Sequence, residues 1–532
     1  MEDVGVRTPS RNESDRRPGE PRRGLVGALV GLLAAGVALG TAELAAAASG
    51  PGASPLIAVG GAAIDATPEW LKSFAIRTFG EADKLVLLVG MGVTIAAASL
   101  ALGAASANRW ALGVAGLVAF GGLGMVAAMT RPANGPADAI PTIAGVIAGI
   151  AAYLFLRRAA GLPRRPSRHE DDSPRIRGFD RRRFLQASLA TAGLAGGAAG
   201  LGRLLLDRAD ASQSRAAVHL PAPADAAPPT PPTADLDLAE LSPFITPNER
   251  FYRVDTALFV PAIDASTWSL RIHGMVEREL TLDYEQLLAR PLIERDVTLA
   301  CVSNEVGGQY VGNARWLGAA LGDLLDEAGV KPGADQIVSR STDGFTVGTP
   351  TDVVRDGRDA MLAVAMNGEP LPLDHGFPVR MIVPGLYGYV SATKWLVDLE
   401  LSTFDAFDAY WIRRGWAQQA PVKTQSRIDT PGSYAEVAAG EVAVAGVAWA
   451  QHRGIMRVEV QVDGAAWAEA ELAAEDTVDT WRQWVYRWGA IPGRHSLRVR
   501  ATDRDGVTQT AERVTPFPDG ATGHHTVIVD VA

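Results

Sequence analysis

The chain has 532 residues, of which 47% are hydrophobic, with a formal net charge of −10 and one cysteine. Up to Asp210 it carries 23 basic and 17 acidic residues, and beyond that point 27 and 43; so acidic a remainder argues against nucleic acid as its partner. A single thiol excludes an intramolecular disulfide, a four-cysteine iron–sulfur site, a structural zinc knuckle and a c-type haem attachment sequence, all of which need more sulfur.

Four apolar stretches, Gly24 to Ala48, Leu85 to Ala105, Trp110 to Met129 and Ile140 to Leu156, approach or reach the ~20 residues that cross a bilayer core. They predict a four-helix transmembrane region over 1–160. Arg7, Arg11, Arg16, Arg17, Arg22 and Arg23 precede the first stretch, Arg109 separates the second from the third, and ten arginines lie between Arg157 and Arg183. Basic flanks stay in the cytoplasm, so these three segments are predicted there and the Gly50 to Lys84 segment outside. Pro68 to Gly80 reads as an amphipathic helix at the interface.

Asp180 to Gln186 reads DRRRFLQ and runs into a fifth apolar stretch, Phe184 to Leu206. Arg181, Arg182, Phe184 and Leu185 resemble a twin-arginine export signal, with Gln186 in place of its lysine; the bland alternative is a positive flank before an ordinary helix. The reading over 161–210 is such a signal plus a fifth membrane anchor. The Ala/Pro-rich segment 211–240 (containing PAPADAAPPTPPTAD) lacks apolar surface to bury and predicts an extended linker.

From Phe251 the pattern turns to short alternating runs such as WSLRIHG (Trp268 to Gly274) and RDVTLACVS (Arg295 to Ser303), which read as strands. Helical patterns are fewer, at Asp283 to Ala289 and Ala319 to Ala328. The prediction is a mixed α+β domain over 241–405. Cys301 falls at a strand-to-loop junction. Lone cysteines are more often small buried hydrophobes than ligands, so the case for chemistry rests on the surrounding strings.

FYRVDTALFVPAID (Phe251 to Asp264), ACVSN (Ala300 to Asn304), ARWLGAAL (Ala314 to Leu321), MNGEPLPLDHGFPVRMIVPG (Met366 to Gly385), TKWL (Thr393 to Leu396) and AYWIRRGW followed by PVKTQSRI (Ala409 to Ile428) together resemble the sulfite oxidase family. The resemblance implies a molybdenum-molybdopterin cofactor with Cys301 as the thiolate ligand to the metal. It also implies Arg253 and Tyr410 facing the substrate, and Asp255, Asn304, His375, Arg380 and Lys394 around the cofactor. Soft thiolate and dithiolene sulfur suits such a metal, and the anionic end of the pterin calls for cationic or N–H donors.

Two departures bear on substrate. Asp255 stands where the family has a histidine, and Glu305 and Val306 follow the Cys-x-x-Asn where sulfite-oxidising members carry an arginine; both carboxylates are expected to repel sulfite. Arg253, Arg315, Arg413 and Arg414 remain as sources of positive charge, while Trp411 and Trp416 read equally well as core aromatics.

After a connecting segment at 406–435, regularly spaced strands over 436–532 predict an immunoglobulin-like sandwich without its disulfide. It is similar to the family's dimerisation domain, which implies a homodimer. The chain is thus read as multi-domain: transmembrane α-helices, an α+β sulfite-oxidase-like molybdopterin domain, then an all-β sandwich. None of the eight histidines lies in the five apolar stretches, so no haem is predicted in them, and electrons are expected to pass to a separate cytochrome or quinone system. The activity implied is two-electron oxygen-atom transfer on a small substrate, a sulfite-like oxyanion or an S- or N-oxide, outside the cytoplasm at the cell membrane. The alternative is a non-catalytic, membrane-tethered binding or sensory protein that retains the fold.

Overall fold

Close backbone contact organises the N-terminal part of this computed structural model. The structure describes residues 20–49, 53–68, 71, 74, 78–79, 83–129, 136–162, 181–208, 211–257 and 259–532, in two units, Met1–Ala209 and Asp210–Ala532. In the first unit, α1 (Glu20–Ser49), α2 (Pro55–Ala66), α3 (Asp83–Ala105), α4 (Trp110–Met129), α5 (Ile140–Ala159) and α6 (Arg181–Arg208) follow in order. Helix α1 packs against α3, α5 and α6. A Cβ at Gly31 would lie 2.4 Å from the Ser99 carbonyl oxygen of α3, and one at Gly145 of α5 would lie 2.4 Å from that of Ala38, so only glycine admits these approaches.

Among the described residues, five helical segments are long and apolar enough to cross a membrane: Arg23–Ala47, Lys84–Ala105, Trp110–Met129, Ala137–Ala159 and Arg182–Leu201. They fall on the five apolar stretches of the sequence. Arg157 is buried and donates to the carbonyls of Ser106 and Ala107 at 2.7 and 3.2 Å, while the Tyr153 hydroxyl donates to Ser106 Oγ at 2.8 Å. These bonds tie α5 to the turn that follows α3. The arginines before residue 20 and those at 164–177, and most of the predicted amphipathic helix at 68–80, lie outside the described residues.

The second unit holds four sheets. Strands β1 (Ser269–Gly274), β2 (Leu280–Asp283), β5 (Gln336–Ser341), β6 (Thr346–Pro350) and β10 (Leu396–Ser402) form one, in the order β2-β1-β10-β5-β6. A second contains β3 (Leu292–Ala300), β4 (Val311–Ala320), β7 (Met361–Met366) and β8 (Glu369–Pro370) in that order, with β9 (Arg380–Ile382) paired to β7. All of β7 and the last five residues of β3 are buried, as expected of strands covered on both faces. Strands β3 and β4 pair from Leu292 with Ala319 to Ala300 with Val311, which leaves Cys301 as the first residue past the ladder.

The remaining strands are β11 (Gln425–Thr430), β12 (Ala435–Val437), β13 (Gly440–Trp449), β14 (Ile455–Val462), β15 (Ala468–Glu469), β16 (Glu471–Leu472), β17 (Arg482–Ala490), β18 (Gly493–Asp503) and β19 (His525–Val531). They form two sheets, β11-β13-β17-β16 and β12-β19-β18-β14-β15. Val444, Trp484, Val458, Leu497 and Val529 from both sheets share one core. This two-sheet module begins at Gln425, inside the segment expected only to connect, because β11 pairs with β13 from Gln425 to Thr430.

The expected linker 211–240 is also different. It starts as a short helix, Ala211–Ala217, and then lies along the second unit as a strap. The Arg215 guanidinium donates to the carbonyls of Pro370 and Leu371 and pairs with Glu369. Ala224 N–H donates to Leu292 O at 2.8 Å, Asp225 pairs with Arg295 at 2.5 Å, and Leu236 N–H donates to Gln483 Oε1 at 2.7 Å. Proline keeps the strap extended, and hydrogen bonds to the edge of β3 and to β17 order it without a large apolar face. A protease that cuts after small residues should therefore leave 218–240 intact in the native protein, as peptide mapping can check. Arg215→Ala should lower unfolding stability by about 1–2 kcal/mol; rapid native cleavage or an unchanged denaturation midpoint contradicts the strap.

Candidate functional site

Cys301 is held at the start of a closed loop. Its N–H donates to Tyr310 O at 2.9 Å, Asn304 N–H donates back to Cys301 O at 3.1 Å, and Asn304 Oδ1 accepts from Tyr310 N–H at 2.9 Å. Asn304 thus braces the loop from within. The thiol is half-buried, with Sγ 2.9 Å from Ser303 Oγ. Burial pushes its pKa up, while Ser303 and the positive charge of Lys394 act in the opposite direction. A thiol of this kind becomes a good ligand once a metal displaces its proton.

Around it, Lys394, Asp255 and Arg253 form a buried ion cluster. Lys394 Nζ lies 2.7 Å from Asp255 Oδ2 and donates to Asp374 O at 3.1 Å, and Arg253 Nε lies 2.9 Å from the same Asp255 oxygen. Burial pulls the Lys394 pKa down to about 8 against the pull of Asp255, with Arg380 and Arg253 adding to the fall. Asp255, expected to repel an oxyanion, is instead enclosed between two cations. The surroundings keep a positive balance.

Arg380 is 6% exposed. Its Nη1 donates to His375 O at 3.1 Å, its guanidinium lies 5.0 Å from the centre of the Trp316 ring, and its Nε has no hydrogen-bond partner among the described residues. Burial lowers its pKa to about 10, with Tyr252 opposing. Such an uncompensated buried cation with an unused donor fits an anionic group. His375, also buried, faces Asn248 O at 3.1 Å through Nε2 and stands edge-on to Phe251 at 5.6 Å. Burial pulls its pKa down to about 4, so it stands neutral at pH 7 and donates to that carbonyl. Gly376, with φ of +111°, follows because a Cβ there would press on Lys394 Cα at 3.1 Å.

Other expected residues sit elsewhere. Tyr410 packs with Phe345 at 5.3 Å and Trp411 at 5.0 Å, under the Arg414 guanidinium at 3.5 Å, and its N–H is tied to Thr346 of β6. Trp416 joins this aromatic group through Trp411 at 6.1 Å and Phe517 at 5.3 Å. Arg315, expected as spare positive charge, grips buried Asp296 with two donors at 2.8 and 2.7 Å and also holds the strap through Pro228 O. Glu305 is exposed.

Two tyrosines that the sequence reading passed over respond to charge on the thiol. Burial raises the pKa of Tyr252, and a charge on Cys301 raises it further while Arg380 lowers it. Burial pushes Tyr387 up to about 12, after which the Lys423 N–H lowers it and Cys301 raises it. Gly388 lies between them, where a Cβ would be 3.8 Å from Ala300 O and 3.9 Å from the Tyr252 hydroxyl. Their signal was in view, since Tyr252 is inside FYRVD and Tyr387 follows the Pro-Gly of the longest string.

Residues 257–411 match the family described as oxidoreductase molybdopterin binding domain; the match takes in Cys301, His375, Arg380 and Lys394 and begins just after Asp255. Mitochondrial sulfite oxidase of Mus musculus is 33% identical over 288 residues, 45% of this chain and 52% of that protein. The uncharacterized oxidoreductase YuiH of Bacillus subtilis (strain 168) is 33% identical over 153 residues, 29% of this chain and 74% of that protein. Among solved structures, the sulfane dehydrogenase SoxCD of Paracoccus pantotrophus aligns with a TM-score of 0.47 at 23% identity, over 55% of this chain and 84% of that one. The chain spans about half the length of the mammalian sulfite oxidases that it matches. The fold and site define a molybdopterin-binding oxidoreductase domain. The chain belongs to the sulfite oxidase family.

The ion cluster makes stability depend on pH in a stated direction. Because the folded Lys394 gives up its proton near pH 8 and a free lysine near 10.5, the unfolded chain binds more protons between those values, so stability rises with pH through that window. Cofactor-free wild type should gain about 1–3 kcal/mol relative to Lys394→Met between pH 8 and 10 in urea denaturation. A flat or falling difference contradicts this account of the cluster.

Proposed function

We propose that the second unit binds a molybdenum-molybdopterin cofactor and carries out two-electron oxygen-atom transfer on a small substrate, either a sulfite-like oxyanion or an S- or N-oxide. The observation that carries the reading is a buried cation, Arg380, whose Nε has no hydrogen-bond partner among the described residues, and which with the half-buried thiol at the end of β3 acts on Tyr252. Cys301 supplies the one protein thiolate to the metal. Arg380 and Lys394 hold the anionic end of the cofactor, with Asp255 keeping Lys394 oriented and His375 fixing the Asn248 segment beside it. When bound, the group supplies a metal that exchanges one oxygen atom and two electrons.

Arg253, whose side chain is 32% exposed, is the cation of this cluster most open to solvent and faces the incoming substrate. With Asp255 enclosed by two cations, an oxyanion meets net positive charge, and the sulfite oxidases among the relatives agree with that class. Tyr252 and Tyr387, which respond to charge on Cys301, join Tyr410 as candidates to orient a substrate oxygen or a water.

The five apolar helices, with arginines flanking them in the pattern of cytoplasmic segments, support a multi-pass anchor in the cell membrane with the catalytic unit outside. The Arg181–Arg182 pair supports export of the folded unit by the twin-arginine route. The C-terminal two-sheet module serves as an immunoglobulin-like dimerisation domain, and electrons leave to a separate cytochrome or quinone system.

Elemental analysis of full-length protein made in a molybdenum-cofactor-competent host tests the reading. Wild type should carry stoichiometric molybdenum and turn over with dye mediators. Cys301→Ser should lose at least about 100-fold of that turnover while the cofactor-free variant unfolds within about 1 kcal/mol of wild type. Wild type without molybdenum, or a serine variant with undiminished turnover, overturns it.

A further inference from the structure

The loop that carries Cys301 is clasped from outside by the C-terminal module. Gly307 has φ of +80°, and a Cβ there would lie 2.2 Å from His525 Cδ2, so the loop backbone rests directly on this ring at the start of β19. The ring is fixed in turn, because His525 Nδ1 accepts from Ile428 N–H at 3.0 Å. One residue on, Gly308 O accepts from Arg427 Nη1 at 2.8 Å.

Arg427 is 2% exposed and belongs to β11. Its Nε pairs with Asp429 and its Nη2 donates to Ser242 Oγ at 2.8 Å, while Asp429 accepts from Ser242 N–H at 3.0 Å. One guanidinium therefore joins three segments: the Cys301 loop, the C-terminal module and the residues that follow the strap. A planar fork can reach all three; a lysine ammonium is a single point on a flexible stem and cannot. Within the loop, Asn304 Oδ1 lies 2.4 Å from where a Gly308 Cβ would stand, so only glycine lets the loop close this tightly on itself.

We propose that Arg427 and His525 are positioning residues for Cys301, acting through the backbone of Gly307 and Gly308, and that the C-terminal module is thereby part of the active-site frame. The clasp exists whatever the thiol binds, so the proposal goes beyond the cofactor reading and is tested on cofactor-free protein.

Arg427→Lys keeps the charge beside Asp429 and withdraws the fork; Gly307→Ala keeps every charge and drives the loop off His525. The measurements are the rate of Cys301 alkylation by iodoacetamide and amide hydrogen exchange, peptide by peptide. Both variants should alkylate about tenfold faster than wild type, with faster exchange confined to 302–310. Arg427→Gln should exceed Arg427→Lys, so that the conservative change partly rescues. In molybdenum-loaded enzyme the cost should fall on kcat with KM preserved. Unchanged alkylation and loop exchange in Gly307→Ala, which decides alone if the Arg427 variants fail to fold, overturns the proposal. So does exchange accelerated evenly across the whole second unit, the mark of a merely structural role. Absence of molybdenum from wild type would sink the cofactor reading while leaving these outcomes intact.

Discussion

Arg380 is a full positive charge enclosed by protein, stacked on Trp316 and holding one carbonyl, with a nitrogen donor left over. A buried charge of this kind is unfavourable unless an acceptor meets it. The surrounding architecture keeps that acceptor position open instead of filling it. Asp255, a carboxylate within the site's first string, is committed to Lys394 and Arg253, and His375 is neutral and committed to Asn248. Arg380 therefore keeps its charge free of any carboxylate partner among the described residues, which is what the proposed cofactor requires.

The Cys301 thiol is useful as a ligand only if its position is reproducible. Strand pairing through Ala300 and Val311 brings Cys301 to the edge of the β3–β4 ladder, and Asn304 closes the loop from within. The C-terminal module then meets the loop from the other side through Arg427 and His525. The strap passes close to the same place, since Ser242 shares both Arg427 and Asp429. Precision at one sulfur is thus distributed over parts of the chain separated by more than two hundred residues in sequence.

What could be read in the sequence follows the range of the interactions concerned. Apolar runs of membrane length are local, and the five helices fall where those runs lie. The strings around Cys301, His375, Arg380 and Lys394 placed these residues in one domain because each string is contiguous. The role of Asp255 was not legible, since its partner Lys394 is 139 residues away, and the same holds for Arg315, whose charge is absorbed by Asp296 across the β3–β4 pair. The strap was misjudged because composition registers missing apolar surface but not a row of backbone donors finding the edge of β3. Tyr410 was singled out by its place in a string and packs among Phe345, Trp411 and Arg414; Tyr252, inside a string valued for other residues, and Tyr387, just past the end of another, were overlooked.

The claim on which the account turns is that Arg380 is kept buried for an anion supplied from outside the chain. Denaturation of Arg380→Met with and without cofactor tests it most directly. Removing an uncompensated charge should leave the cofactor-free protein at least as stable as wild type, by up to about 1–4 kcal/mol, while the variant fails to retain the pterin through purification. A variant that is clearly less stable without cofactor yet still holds it in full would show that Arg380 serves the fold alone.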